Sequence, residues 1–298
     1  MFDAPDPRSY DSRDRHVDRD RSVDPSEFLA RDLDLPQGRE REHVHGHDHD
    51  YALRGSEVRA LAAIGAFRVV AADDVRDDQG HPGDLRVGDL RHLKDAGLIR
   101  SIAPLVRDRQ TTIVTLTARG RALLEQYRAR EAKTPQPFYA GRIKARELSH
   151  DAQVYRAFLR TAERLREQRA RLLRVVLDTE LKREYQRFLQ DRNRGRADGD
   201  GRPRRSASEI KSWAIEHDLP VVDGRVQFPD LQVQYERSDG RRGVENVEVM
   251  TWHYRGAHAA GKASAGFTRF RGDSMRVGGS KGRPGRGPFD PHAAEDLL

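Results

Sequence analysis

Apolar positions along this chain change period several times, and the changes mark out its elements. In Ser56 to Ala66 (SEVRALAAIGA), Val58, Leu61, Ala62 and Gly65 fall on one face of a helix. A short second helix is expected from Asp73 to Asp78. Leu90, Leu93 and Leu98 repeat at helical spacing, and Gly97 stands where a helix C-terminus favours positive φ. With Val87, Leu90, Leu93 and Gly97 turned inward, a rotation of about 100° per residue aims Gly88, Arg91, His92 and Asp95 outward. Ile99 to Val106 and Thr111 to Leu116 are runs rich in β-branched residues around Arg107-Asp108-Arg109-Gln110, which predicts a hairpin with a basic tip. Thr117 is the expected N-cap of the next helix, whose apolar stripe is Leu123, Leu124 and Tyr127.

The second half follows a different pattern. Glu147 to Gln168 is amphipathic, with Leu148, Ala152, Tyr155, Leu159, Ala162 and Leu165 near one face. Leu172 to Leu177 reads as a short apolar strand, Asp178 to Gln190 as a helix and Ser208 to His217 as another. Val226 to Tyr235 and Val244 to Thr251 flank the turn Ser238-Asp239-Gly240 and predict a hairpin, with a last helix from about Ala257 to Phe267. The fold class expected is α+β. Its parts are a charged tail over 1–40, a first domain over 41–130, a mixed α/β domain over 146–271 and a Gly/Arg-rich tail over 272–298. Both tails are expected to be disordered, because they offer too little apolar surface to offset chain entropy.

The order Leu90, Leu93, Gly97, Leu98, Ile99, then Leu116, Thr117, Gly120, Leu123 resembles the core of winged-helix regulators of the MarR and PadR kind. That resemblance implies a winged helix-turn-helix on duplex DNA, with Arg91 and His92 facing the groove. Arg107 and Arg109 on the wing would meet phosphates, which set affinity and register but carry no sequence code. Winged helices also serve as protein-docking and dimerisation modules, so an assembly role and a homodimer stay open.

Pro229-Asp230 and Glu248, on predicted neighbouring strands, resemble the PD-(D/E)XK nuclease fold, in which carboxylates converge on a hard divalent ion. The resemblance implies Asp230 and Glu248 as metal ligands for magnesium or manganese, with Glu180 as a further acidic group. The position two residues after Glu248, where such a nuclease keeps lysine, is Met250; Lys262 is the substitute cation, with His253 and His258 as proton-transfer candidates. From Ser56 to Arg271 the order also resembles the replication-relaxation family of plasmids and conjugative elements, through Leu148 to Asp151 (LSHD), Glu180, Pro229-Asp230, Glu248 and Lys262. This implies DNA-associated work beside conjugation or replication proteins.

Composition narrows these readings. The chain has 298 residues, a net charge of +7 and no cysteine, which permits nucleic-acid binding, removes thiol chemistry and fits a reducing cytoplasm. No apolar run approaches the roughly 20 residues of a membrane span. No G-x-x-x-x-G-K-S/T phosphate-binding loop occurs, and GSKGRPGRG lacks the strand-to-helix context such a loop requires, which excludes helicase, kinase and ATPase readings. His43, His45, His47 and His49 lie on one face if extended and then suit a transition metal, while Gly46 and the interleaved Asp48 and Asp50 equally suit a solvated turn. His150 with Asp151 reads as a helix-start cap and local hydrogen bond, Trp213 and Trp252 as packing residues. The expectation is therefore a DNA-binding accessory protein without a cofactor. The alternatives are a metal-dependent nuclease and a non-enzymatic assembly module.

Overall fold

The computed structural model describes residues 25–77, 79–102, 112–129, 135–141, 144–193, 205–250 and 264–272. It is a mixed α+β protein. The first elements are α1 (Glu27–Ala30), a hairpin of β1 (Glu42–His45) and β2 (Asp50–Leu53), and α2 (Gly55–Ala66). β3 (Val70–Ala71) leads through one 3-10 turn (Ala72–Asp74) towards α3 (Gly88–Asp95), β4 (Ile99–Ile102), β5 (Ile113–Leu116) and α4 (Ala118–Gln126). β3, β5 and β4 form an antiparallel sheet in that order. The short second helix expected over 73–78 is only that 3-10 turn. Val75 takes an extended backbone (φ −77°, ψ 138°) and is buried in the core, so the turn ends there.

Thr117 caps α4 as expected, its Oγ1 accepting from Gly120 N at 3.1 Å, and Leu123 and Leu124 are buried. In α3, Leu90 and Leu93 are buried, but Val87 points into solvent at 64% exposure, contrary to its expected inward face. Val87 is the extended N-cap residue rather than part of the helix, so the helical projection does not apply to it.

The second half opens with α5 (Ala145–Glu167), β6 (Arg171–Leu177), α6 (Asp178–Gln190) and α7 (Ala207–Glu216). A small hairpin follows, β7 (Val221–Val222) with β8 (Arg225–Val226), and then β9 (Leu231–Glu236), β10 (Arg242–Met250) and β11 (Thr268–Arg271). The strand expected over 226–235 is thus two strands, interrupted at Pro229, which has no N–H to donate to a ladder. β6, β9 and β10 are an antiparallel meander, and β11 returns parallel to β10, giving the order β11-β10-β9-β6. β11 escaped the apolar pattern because only Phe270 of its four residues is even half-buried on the core side.

One face of this sheet (Val175, Leu177, Leu231, Val233, Val247, Val249) packs on α5, and Val176 on the other face meets Leu181, Trp213 and Leu219. Trp213 is a packing residue, its ring 4.9 Å from Tyr185 and 3.9 Å from His217. α5 also touches β3, and Phe67 at the end of α2 lies 4.9 Å from both Tyr155 and Phe158. The apolar interior therefore runs unbroken between the two expected domains.

The expected disordered stretch over 1–40 is corrected in its latter part. Leu29, Ala30, Leu33 and Leu35 are buried, Ser26 Oγ lies 3.0 Å from Tyr155 Oη, and backbone bonds join Asp34 N to Tyr127 O and Ala129 N to Asp32 O. The apolar spacing of FLARDLDL is enough to seat this segment over α2, although the charged residues around it mask the pattern. Among the described residues no helix is long and apolar enough to cross a membrane.

Candidate functional site

Two places gather charged side chains with defined geometry. The first is the outer surface of α3. Arg91 and Lys94 are exposed, and Arg91 is oriented by Asp95 Oδ2 at 2.9 Å and by the carbonyl of Arg86 at 3.1 Å. His92, expected to face outward, instead places Nδ1 2.9 Å from Glu57 Oε1, with only a third of its side chain exposed. Glu57 is fully buried, so a partner on α3 is worth more there than at the surface. The same carboxylate accepts from Arg41 Nη2 at 2.6 Å and from Arg54 N at 3.0 Å, and this hydrogen bond to Glu57, followed by its charge against burial, raises the Arg41 pKa. Arg54 in turn holds buried Asp89, in the first turn of α3, through Nε at 2.9 Å and Nη2 at 2.6 Å. The position of α3 on α2 is thus fixed by ionic contacts beneath it. Lys94, which helical projection from Val87 left out, shares the outer surface with Arg91. Arg107 and Arg109 lie outside the described residues.

The second place lies where α5 meets the sheet. Leu231 pairs with Val247 as the last pair of the β9–β10 ladder, so Asp230, just before β9, and Glu248 on β10 each stand one residue beyond it. Both are buried, at 8% and 2% exposure. Asp230 Oδ2 accepts from Val249 N at 2.9 Å and lies 3.3 Å from His150 Nε2. His150 Nδ1 lies 3.4 Å from Asp151 Oδ1, and Arg68 Nη1 lies 3.1 Å from Asp151 Oδ2. Charges therefore alternate along Arg68, Asp151, His150 and Asp230, tying the end of α2 to α5 and to β9. Burial alone would lower the His150 pKa, but Asp151 and Asp230 outweigh it and push the ring up to about 10. His150 was expected to cap and bond locally; its reach to Asp230, just before β9 and 80 residues later, has no local signal in the sequence.

The other residues expected here are placed differently. The carboxylate of Glu180 is taken by Arg174 and by Tyr139 Oη, the latter at 3.3 Å. Burial, opposed by Arg174, raises its pKa. Lys262, His253 and His258 lie outside the described residues, as does Trp252, whereas the register sets Arg269 of β11 beside Glu248.

A hard divalent ion needs several oxygen donors converging on one point. Among the described residues the group of three metal-capable side chains with all donor atoms within 4.8 Å is His43, His45 and Asp50, far along the chain from this site. Asp230 Oδ2 is engaged by an amide and an imidazole, Glu180 is turned to Arg174, and Met250 offers no cation. Among the described residues, Asp230 and Glu248 are not joined by a third metal-capable side chain with all donor atoms within that distance. What the arrangement does chemically is neutralise buried carboxylates and lock α5 to the sheet.

Comparison of the chain with protein-family models, with characterised proteins and with solved structures finds no match in any of the three.

Proposed function

We propose that this protein binds duplex DNA through α3 and the β4–β5 hairpin, in the manner of a winged helix, as a non-catalytic accessory factor. The observation that carries the reading is the arrangement of α3. It is clamped to α2 by Arg54–Asp89 and by the Glu57 contacts, and it turns Arg91 and Lys94 outward beside a sheet ordered β3-β5-β4. A rigid helix with cations on its free face suits a major groove, and the hairpin beside it suits a phosphate backbone. The meander β6-β9-β10 with parallel β11 supports a likeness to PD-(D/E)XK layouts, while the His150–Asp230 contact and Met250 speak for a structural use of that layout. A place on a plasmid or conjugative element rests on the motif resemblance to the replication-relaxation family.

The test is fluorescence anisotropy of the full chain on labelled duplex DNA across a salt series. Affinity is expected to fall steeply with salt, and Arg91→Ala with Lys94→Ala to lower the magnitude of the log–log slope by about 1 for each phosphate that is no longer neutralised. Arg107→Ala with Arg109→Ala should weaken all sequences alike. Incubation with magnesium or manganese should leave the DNA uncut. Absence of binding at low salt by folded protein would replace this reading with a protein-docking one, and cleavage abolished by Asp230→Ala would replace it with the nuclease.

A further inference from the structure

The histidine-rich stretch stands apart from both places described above, and the fold gives it a shape that composition alone did not. β1 and β2 pair in the register His43↔Ala52, His45↔Asp50, so His43 and His45 project from the same exposed face of one strand while Asp50 stands directly across from His45. His45 Nδ1 lies 3.1 Å from Asp50 Oδ1 and His43 Nε2 lies 3.6 Å from Asp50 Oδ2, with the two imidazole rings 4.5 Å apart. Donor atoms of a tetrahedral ion with bonds near 2.0–2.1 Å sit roughly 3.3 Å from one another. The two histidine–aspartate distances fall close to that spacing, and one donor atom from each of the three side chains lies within 4.8 Å of the others.

The backbone beneath them is held in place. Val44 and Tyr51 are buried, and the carbonyl of His45 accepts from Gln126 Nε2 at 2.9 Å and from Tyr127 Oη at 3.0 Å. The turn is closed by Gly46 N donating to His49 O at 2.9 Å, and any Cβ on residue 46 would lie 2.5 Å from that carbonyl. His47 and His49 occupy this turn, so the four histidines do not share one face.

We infer that His43, His45 and Asp50 form a binding site for a first-row divalent transition ion of the zinc or nickel class, leaving the remaining coordination positions to water. Two imidazoles and one carboxylate suit such ions better than calcium or magnesium, which prefer all-oxygen surroundings. Preorganisation by the hairpin, rather than histidine content, is what makes the site.

The inference is tested on full-length protein without an affinity tag, by calorimetric titration with zinc and with nickel and by the visible absorption of the cobalt form. The expected result is one ion per chain. Replacing His43→Ala with His45→Ala, or Asp50→Ala alone, should weaken binding by about tenfold or more and remove the cobalt bands. His47→Ala with His49→Ala should change affinity less than about threefold, which is small against the loss of a ligand. Circular dichroism is expected to stay unchanged, since all three ligands are exposed. Equal losses from both histidine pairs would mean a flexible histidine tract rather than a built site, and binding indifferent to His43, His45 and Asp50 would equally overturn the assignment.

Discussion

At Gly120 a Cβ would lie 2.3 Å from the carbonyl oxygen of Leu98 and 2.7 Å from Leu116 Cδ1, so α4 can dock against β4 and β5 only through a residue without one. This supplies the physical reason for a glycine three residues after Thr117. Gly120→Ala is expected to destabilise the protein by about 2 kcal/mol or more, because overpacking against backbone offers no rotamer to relieve it. Chemical denaturation checks this, and a loss within about 0.5 kcal/mol, as at ordinary surface positions, would show that α4 shifts freely. His150 allows a prediction with a definite sign. Its folded pKa of about 10 stands above the ordinary 6.5, so the stability it contributes is fully present below pH 6.5 and is lost as pH rises through about 10. The stability gap between wild type and His150→Gln should be on the order of 2 kcal/mol near neutral pH, a modest figure for a ring one-third exposed. Measured by urea titration, the gap should close on going towards pH 10; a gap that widens there would reverse the assignment of charge.

Elements were legible where one period persisted over several turns or where a turn residue had a single conformational meaning. α2, α3, α4, α5 and α6 fall close to their expected limits, and Gly97 (φ 70°) and Gly240 (φ 79°) take the positive φ their turns demand. Short or charged elements were not legible: α1 is a single turn of four residues, the turn after β3 is a single 3-10 turn, and β11 is Thr-Arg-Phe-Arg. The candidate site was half legible for the same reason. Glu248 lies on β10 as the strand pattern predicted, whereas Asp230 precedes β9, and its partners, His150 and Val249 N, depend on how α5 crosses the sheet. His92 departs from its expected direction because projection onto a helix shows direction and not what waits there; a fully buried Glu57 on α2 draws the ring in. The ion pair next to it should matter to the element as a whole. Arg54→Ala leaves Asp89, 6% exposed, without its guanidinium, and stranding a buried charge costs about 3 kcal/mol. Thermal denaturation should show that loss, whereas Arg91→Ala, which breaks an exposed pair, should change stability by less than about 0.5 kcal/mol.

On the scale of the whole molecule, the decisive feature is that the two expected domains share an interior. Phe28 and Phe67 both pack on Phe158 of α5, and Leu148 and Ala152 at the start of α5 cluster with Val69 just before β3, Ala71 of β3 and Ile113 of β5. Residues 41–130 alone would expose those surfaces and lose the segment of α1 that closes over α2. That segment is therefore expected to be a determinant of global stability. Leu29→Ala, at 2% exposure, should cost about 2–5 kcal/mol. The chain's tryptophans, Trp213 and Trp252, both lie in the second half of the sequence, so fluorescence reports on the unfolding of that half. If the interior is one cooperative unit, Leu29→Ala should lower the midpoint seen by tryptophan fluorescence as much as the midpoint seen by far-ultraviolet circular dichroism. Two separated transitions, with the fluorescence midpoint unmoved, would show instead that the halves unfold independently and that the packing of α1 and α2 on α5 contributes little.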